Sequence, residues 1–128
     1  HFEGSEWQSE SSGTDTHLTA VWSASTEQTF VVGEYGAALQ RSGGVWSAME
    51  SNTDASLSGV TGYAANDVYA VGHTSNDHGV IIHYDGASWS EIPGLSVVRL
   101  NGIWIDPAGA VAYAVGYEGT ILRGAFSN

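Results

Sequence analysis

The chain has 128 residues, of which 42% are hydrophobic and only 13% charged, with 17 glycines, two prolines and no cysteine. This composition argues against a disordered chain and against helices, since an interior glycine costs about 1 kcal/mol relative to alanine. It also excludes thiol catalysis, thiolate metal sites and disulfides. Fourteen acidic residues face three arginines (Arg41, Arg99, Arg123) and no lysine, for a formal charge of −11, so nucleic acid and anionic membrane surfaces are poor partners.

The first predicted strand runs from Ser5 to Ser9 around Trp7. Trp46 and Trp89 repeat that tryptophan 39 and 43 residues apart, and Leu18, Leu57 and Leu100 keep the same two spacings. So do Val21, Val60 and Ile103. Next come the Val-Gly pairs at 32–33, 71–72 and 115–116, then Gly36, Gly79 and Gly119, then Leu39, Ile82 and Leu122. Six markers in constant order through three copies define repeats of approximately 5–43, 44–86 and 87–128, within a single unit spanning 1–128.

The middle copy is the clearest. Trp46–Met49, Leu57–Gly62, Val68–Gly72 and Val80–Tyr84 read as four short strands rich in Val, Ile, Tyr and Trp. Gly43-Gly44 and Asp85-Gly86 are residue types suited to two-residue hairpins, whose turns need positive φ. Gly36 and Gly119 suit a tighter hairpin before the last strand. The second copy inserts four residues within His73–His78, and the third carries one extra residue near Pro107, both at turns where a hairpin repeat tolerates them. The last predicted strand is Thr120–Gly124. No apolar run approaches the ~18 residues of a membrane span.

Repeats of about 40 residues with four strands each predict an all-β chain, a β-propeller built from three such blades. The segments "YDGASWSEI", "LSGVTGYAANDVYAVG" and "GVIIHYDG" resemble the short propeller repeats of secreted and surface proteins of environmental bacteria. "RSGGVW" and "YDGASW" resemble the Asp-box turn of sialidase-type and photosystem-assembly-factor propellers, with Arg41-Ser42 standing where the box has an aspartate. That resemblance covers nearly the whole chain. It implies the fold, a secreted, cell-surface or periplasmic location, and a turn between the third and fourth strands of a blade.

Propellers typically have four to eight blades, so three repeats leave a ring open. The chain starts on an outer-type strand and ends one strand short of it, which leaves two complete blades, a leading strand and three trailing strands. Two expectations follow: a homodimer closing one six-bladed ring by strand exchange, or a part of a larger propeller.

Candidate chemistry is sparse. His73, Asp77 and His78 bracket a loop of metal-ligand types, but neither histidine has a recognised zinc spacing and the other copies lack the loop. His1 chelates copper only as a free amino terminus. No G-x-S-x-G elbow is present, and no acid pair stands out for glycoside hydrolysis. The reading is therefore non-enzymatic, with no cofactor and no metal site. The in-register aromatics (Trp22 and Trp104; Phe30, Tyr69 and Tyr113) suit packing between blades. Tyr35 and Tyr117, each at a hairpin tip beside Glu34 or Glu118, combine a ring for a sugar face with a carboxylate for its hydroxyls. A multivalent lectin binding glycan at Glu34, Tyr35, Tyr117 and Glu118 is the first expectation. A scaffold with a protein partner, or a fragment of an Asp-box glycoside hydrolase, is the alternative.

Overall fold

The structure, a computed structural model, describes residues 2–3, 6–7, 9–25, 27–93, 97–106 and 111–125, and of 2, 3, 6, 7 and 125 the backbone only. His1, the side chain of Trp7 and the surroundings of Pro107 lie outside the described residues. Thirteen strands are present, all paired antiparallel, and the only helical pieces among the described residues are two 3-10 turns, Glu34–Gly36 and Tyr117–Gly119. No helix among these residues is long and apolar enough to cross a membrane.

Strands β3 (Leu18–Ser23), β4 (Gln28–Gly33), β5 (Ala38–Ser42) and β6 (Val45–Ala48) form the first sheet in chain order. The second sheet is β7 (Ser56–Ala64), β8 (Asp67–His73), β9 (Gly79–Tyr84) and β10 (Trp89–Glu91). In the third, β11 (Leu100–Ile105), β12 (Val111–Gly116) and β13 (Ile121–Ala125) stand without a fourth strand. The leading strand β2 (Glu6–Trp7) pairs with β1 (Phe2–Glu3) in a separate two-stranded sheet.

The repeat markers are the buried positions. One apolar cluster joins Ala20, Trp22, Phe30, Val32 and Ala38 of the first sheet to Val60, Val68, Ala70, Ile82, Tyr84 and Trp89 of the second. Another joins Val71 and Ile81 of the second to Leu100, Ile103, Ala114 and Leu122 of the third. The cross-strand register Ala20↔Val32↔Ala38 and Trp22↔Phe30 places one set of side chains forward onto the next sheet, while Val21↔Val31↔Leu39 point backward. This is the two-residue alternation of a strand applied three times. Trp22 and Phe30 stack with centroids 6.1 Å apart, and Tyr84 of the second sheet lies 5.8 Å from Phe30.

Each first strand also carries a bulge at the residue after its leucine, between Leu18 and Ala20, Leu57 and Gly59, and Leu100 and Gly102. The bulged side chain is aimed at the neighbouring sheet. Thr19 Oγ1 donates to the Leu57 carbonyl, and Ser58 Oγ to the Leu100 carbonyl at 2.7 Å. The same bond thus ties first strand to first strand at both internal junctions.

The hairpins between third and fourth strands differ from each other. Gly43 and Gly44 have φ of 59° and 84° and make the expected two-residue turn. Asp85-Gly86 does not: Tyr84 pairs with Trp89, leaving a four-residue loop. There the Asp85 carboxylate accepts the amides of Ala87 and Ser88, both at 2.9 Å. An aspartate that binds its own loop backbone replaces the need for positive φ at two positions, which is why the short-hairpin expectation fails here.

Candidate functional site

One end of the sheets gathers the turns between second and third strands together with the connections from sheet to sheet. In the first sheet Glu34 N–H donates to the His17 carbonyl (3.0 Å) and Ala37 N–H to the Glu34 carbonyl (3.1 Å). In the third, Tyr117 N–H donates to the Arg99 carbonyl (2.9 Å) and Thr120 N–H to the Tyr117 carbonyl (3.1 Å). The turns match residue for residue from Gly33 and Gly116, so Glu34 corresponds to Tyr117, and Tyr35 to Glu118. Tyr35 and Glu118 hold the left-handed position, with φ of 58° and 59°. The four residues singled out from sequence therefore lie on two like turns, with ring and carboxylate exchanged.

The two tyrosines consequently have different surroundings. The ring of Tyr117 lies under the Arg99 guanidinium, 5.3 Å away, and Arg99 Nε donates to Asp77 Oδ1 at 2.7 Å. Arg99 so links the loop inserted in the second sheet to the turn of the third. At the matching place in the first sheet His17 Nδ1 stands 3.7 Å from Glu34 Oε2. Tyr35 is 79% exposed. Its turn forms the lip of a depression of about 340 Å³, whose other wall is the connection bearing Glu50, Asn52 and Asp54. Ser51 Oγ holds that connection to the Gly36 carbonyl at 2.6 Å, and Asn52 Nδ2 holds it to the Trp89 carbonyl at 2.8 Å.

Tyr35 is conformationally costly where it stands. A left-handed conformation costs a side-chain-bearing residue about 1–2 kcal/mol that glycine does not incur. Folding favours glycine at this position, so the tyrosine points to a role other than folding.

The role of Arg99 was not legible from the chain. It contacts an insertion 22 residues upstream, and its sequence neighbours mark only a strand start. Asp77, committed to Arg99, is not available as a metal ligand beside His73 and His78. Among the described residues no group of three or more His, Asp or Glu is placed to hold a metal ion. Elsewhere, His83 Nε2 and Asp67 Oδ1 lie 2.7 Å apart, with the His83 ring 4.5 Å from that of Tyr69. No serine hydroxyl bonds this histidine among the described residues. Arg41 binds Glu10 at 2.9 Å on the back of the first sheet, far along the chain from Arg99 and Arg123 and on a different sheet.

Neither a protein-family model nor a curated protein matches the chain. Solved structures do resemble it. YCF48 bound to D1 peptide superposes with a TM-score of 0.69 at 19% identity, over 87% of this chain and 38% of that one. The fold is propeller-like. Each four-stranded sheet is a blade, β3, β7 and β11 are the innermost strands, and the chain spans 38% of the length of that solved structure.

Titration at this end and along the blades runs in one direction. Burial, then the Arg99 cation, pushes the His73 ring below its ordinary value against the opposing pull of Asp77. The indole N–H of Trp46 and then Arg41 hold the Glu10 carboxylate low, and the Ser88 and Ala87 amides do the same for Asp85. All three groups bind fewer protons folded than unfolded, so protonation favours unfolding. The His73 contribution is lost as pH falls below about 6.5, and those of the two carboxylates as pH falls below about 4. The urea midpoint is expected to decline steadily from pH 7 to pH 3. His73→Gln should flatten the part between pH 7 and 5, and a midpoint independent of pH over the whole range would contradict these assignments.

Proposed function

We propose that the chain is a non-enzymatic protein-interaction propeller unit that takes an extended segment of a partner protein across the turn-bearing end of its blades. The observation that carries this reading is Tyr35, an exposed ring in a costly conformation at the lip of a depression walled by Glu50 and Asp54. An aromatic platform beside two carboxylates suits a segment that alternates apolar and basic residues. The overall charge of −11 favours the approach of such a segment. A similarly folded chain holding a peptide supports the choice of a polypeptide ligand.

The carbohydrate reading rests on the same tyrosines. It draws support from the exposure of Tyr35 beside Glu34, but multivalency needs like sites on successive blades. Here ring and carboxylate change places and Arg99 covers one face of Tyr117. An exported location is proposed on the resemblance of the repeats to those of secreted and surface proteins.

A phage-displayed random peptide library selected on the chain tests the reading, with the selected peptides then titrated calorimetrically. Enrichment of Lys and Arg is expected, together with at least a tenfold loss of affinity in Tyr35→Gly, because a centrally placed ring is worth about 1.4 kcal/mol or more. Tyr35→Gly relieves the left-handed strain, so its stability should be equal to or above that of the parent. Absence of any selected peptide, combined with binding on a glycan array, would replace this reading by the carbohydrate one.

A further inference from the structure

We infer that the two open blade faces of this chain are complementary halves of one interface, and that a second copy of the chain occupies them. This goes beyond the peptide reading and uses different residues. The forward face of the third blade repeats the forward face of the first. Trp104 stacks on Tyr113 with centroids 6.5 Å apart and planes at 29°, where Trp22 and Phe30 stand at 6.1 Å and 29°. Val115 and Ile121 occupy the places of Val32 and Ala38.

The difference is in what covers them. Phe30, Val32 and Ala38 are buried against the second blade, whereas Trp104, Tyr113, Val115 and Ile121 are all exposed, Trp104 by 54% and Ile121 by 68%. A contiguous exposed patch of large apolar side chains marks an interaction surface.

The back of the first blade supplies the matching half. Val21, Val31 and Leu39 repeat Val60, Ala70 and Ile82, the residues on which the first blade's forward face is seated. They line an open concavity of about 610 Å³, in which Val21 is 65% exposed. Arg41 takes the register position of Tyr84, the ring that meets Phe30 at the internal junction. In the assembled pair Tyr113 meets Arg41, a ring against a guanidinium in place of ring against ring.

The polar tie between first strands is also present in halves. Asn101, at the bulge and exposed, corresponds to Thr19 and Ser58, and the Leu18 carbonyl corresponds to those of Leu57 and Leu100. The occupant is thus specified by continuity with the two internal junctions. It must carry a forward face to offer Val21 and a backward face to offer Trp104, and this chain carries both. Two copies related by a twofold axis satisfy every open face and make a ring of six blades, inside the four-to-eight range of propellers.

The test is the solution mass of the 128-residue chain by light scattering after gel filtration, with Val21→Asp on one face and Val115→Asp on the other. Both positions are exposed, and circular dichroism checks that each variant keeps its strands. The expected result is twice the 13.4 kDa of one chain for the parent and a single-chain mass for each variant. Acrylamide should quench the parent's tryptophan emission less than that of either variant, because Trp104 is covered in the pair. A monomeric parent overturns the inference, as does an open ladder of masses. A dimer broken by Val115→Asp but untouched by Val21→Asp is a pair joined through like faces, and it overturns the inference as well.

Discussion

Phe30→Ala should lower the unfolding free energy by about 3–5 kcal/mol, the usual cost of emptying a buried phenylalanine site. Phe30 is fully buried at the junction of the first two blades, between Trp22 of its own sheet and Tyr84 of the next. The void opens between two sheets held by side-chain packing and the Thr19–Leu57 bond, with no strand pairing across the gap to draw them together. Total stabilities run from about 5 to 15 kcal/mol, so the variant is expected to be partly unfolded at room temperature. Urea unfolding followed by tryptophan emission reads it directly. Phe30→Tyr keeps the ring and isolates a second effect. The other copies have tyrosine at this position, at Tyr69 and Tyr113, yet here the hydroxyl enters a dry junction and should cost about 1–3 kcal/mol if it finds no partner. Equal stability of Phe30→Ala and the parent would mean that the first two blades do not depend on this contact.

Gly72→Ala is the second large effect, and it acts through the backbone. Gly72 ends β8 opposite Leu57, and a Cβ built on it falls 1.9 Å from the Ser56 carbonyl oxygen and 2.8 Å from Leu57 Cα. Neither is the flexible end of a side chain, so the two innermost strands of the blade must part. A cost of about 2–3 kcal/mol is expected, at the upper part of the range for overpacking. Gly33 and Gly116 meet the His17 and Arg99 carbonyls at 2.1 and 1.9 Å in the same way. The glycine of each Val-Gly marker is thus required by a close approach, repeated three times. Gly124→Ala is the control: nothing lies within 4 Å of its Cβ, and its unfolding midpoint should match the parent's. A Gly72→Ala midpoint equal to that of Gly124→Ala would remove the steric account.

The spacing of Gly33 and Gly116 in the chain already sets Glu34 against Tyr117. Pairing Tyr35 with Tyr117, as residue type invites, follows likeness instead of register. The loop after Tyr84 shows the converse. Asp85-Gly86 has the composition of a two-residue hairpin, but the Asp85 carboxylate has two amides within reach and a wider loop lets it bind both. Local competition between a side chain and the backbone decides such turns, and composition alone does not resolve it.

What the amino-acid order settles without a structure is the strand plan: three copies, the antiparallel hairpins, the phase that leaves two blades whole and one short of a strand. Those features depend on two-residue alternation and on breakers within a few residues of each other, which are local and repeated. Which faces are covered is decided elsewhere. Trp22 and Trp104 are the same residue in the same register, yet one is packed against the next blade and the other is 54% exposed. The contact of Arg99 with Asp77 and Tyr117 joins an insertion in one repeat to a turn in the next. Burial and pairing of this kind depend on where neighbouring sheets lie in space, and no periodicity within a strand records that.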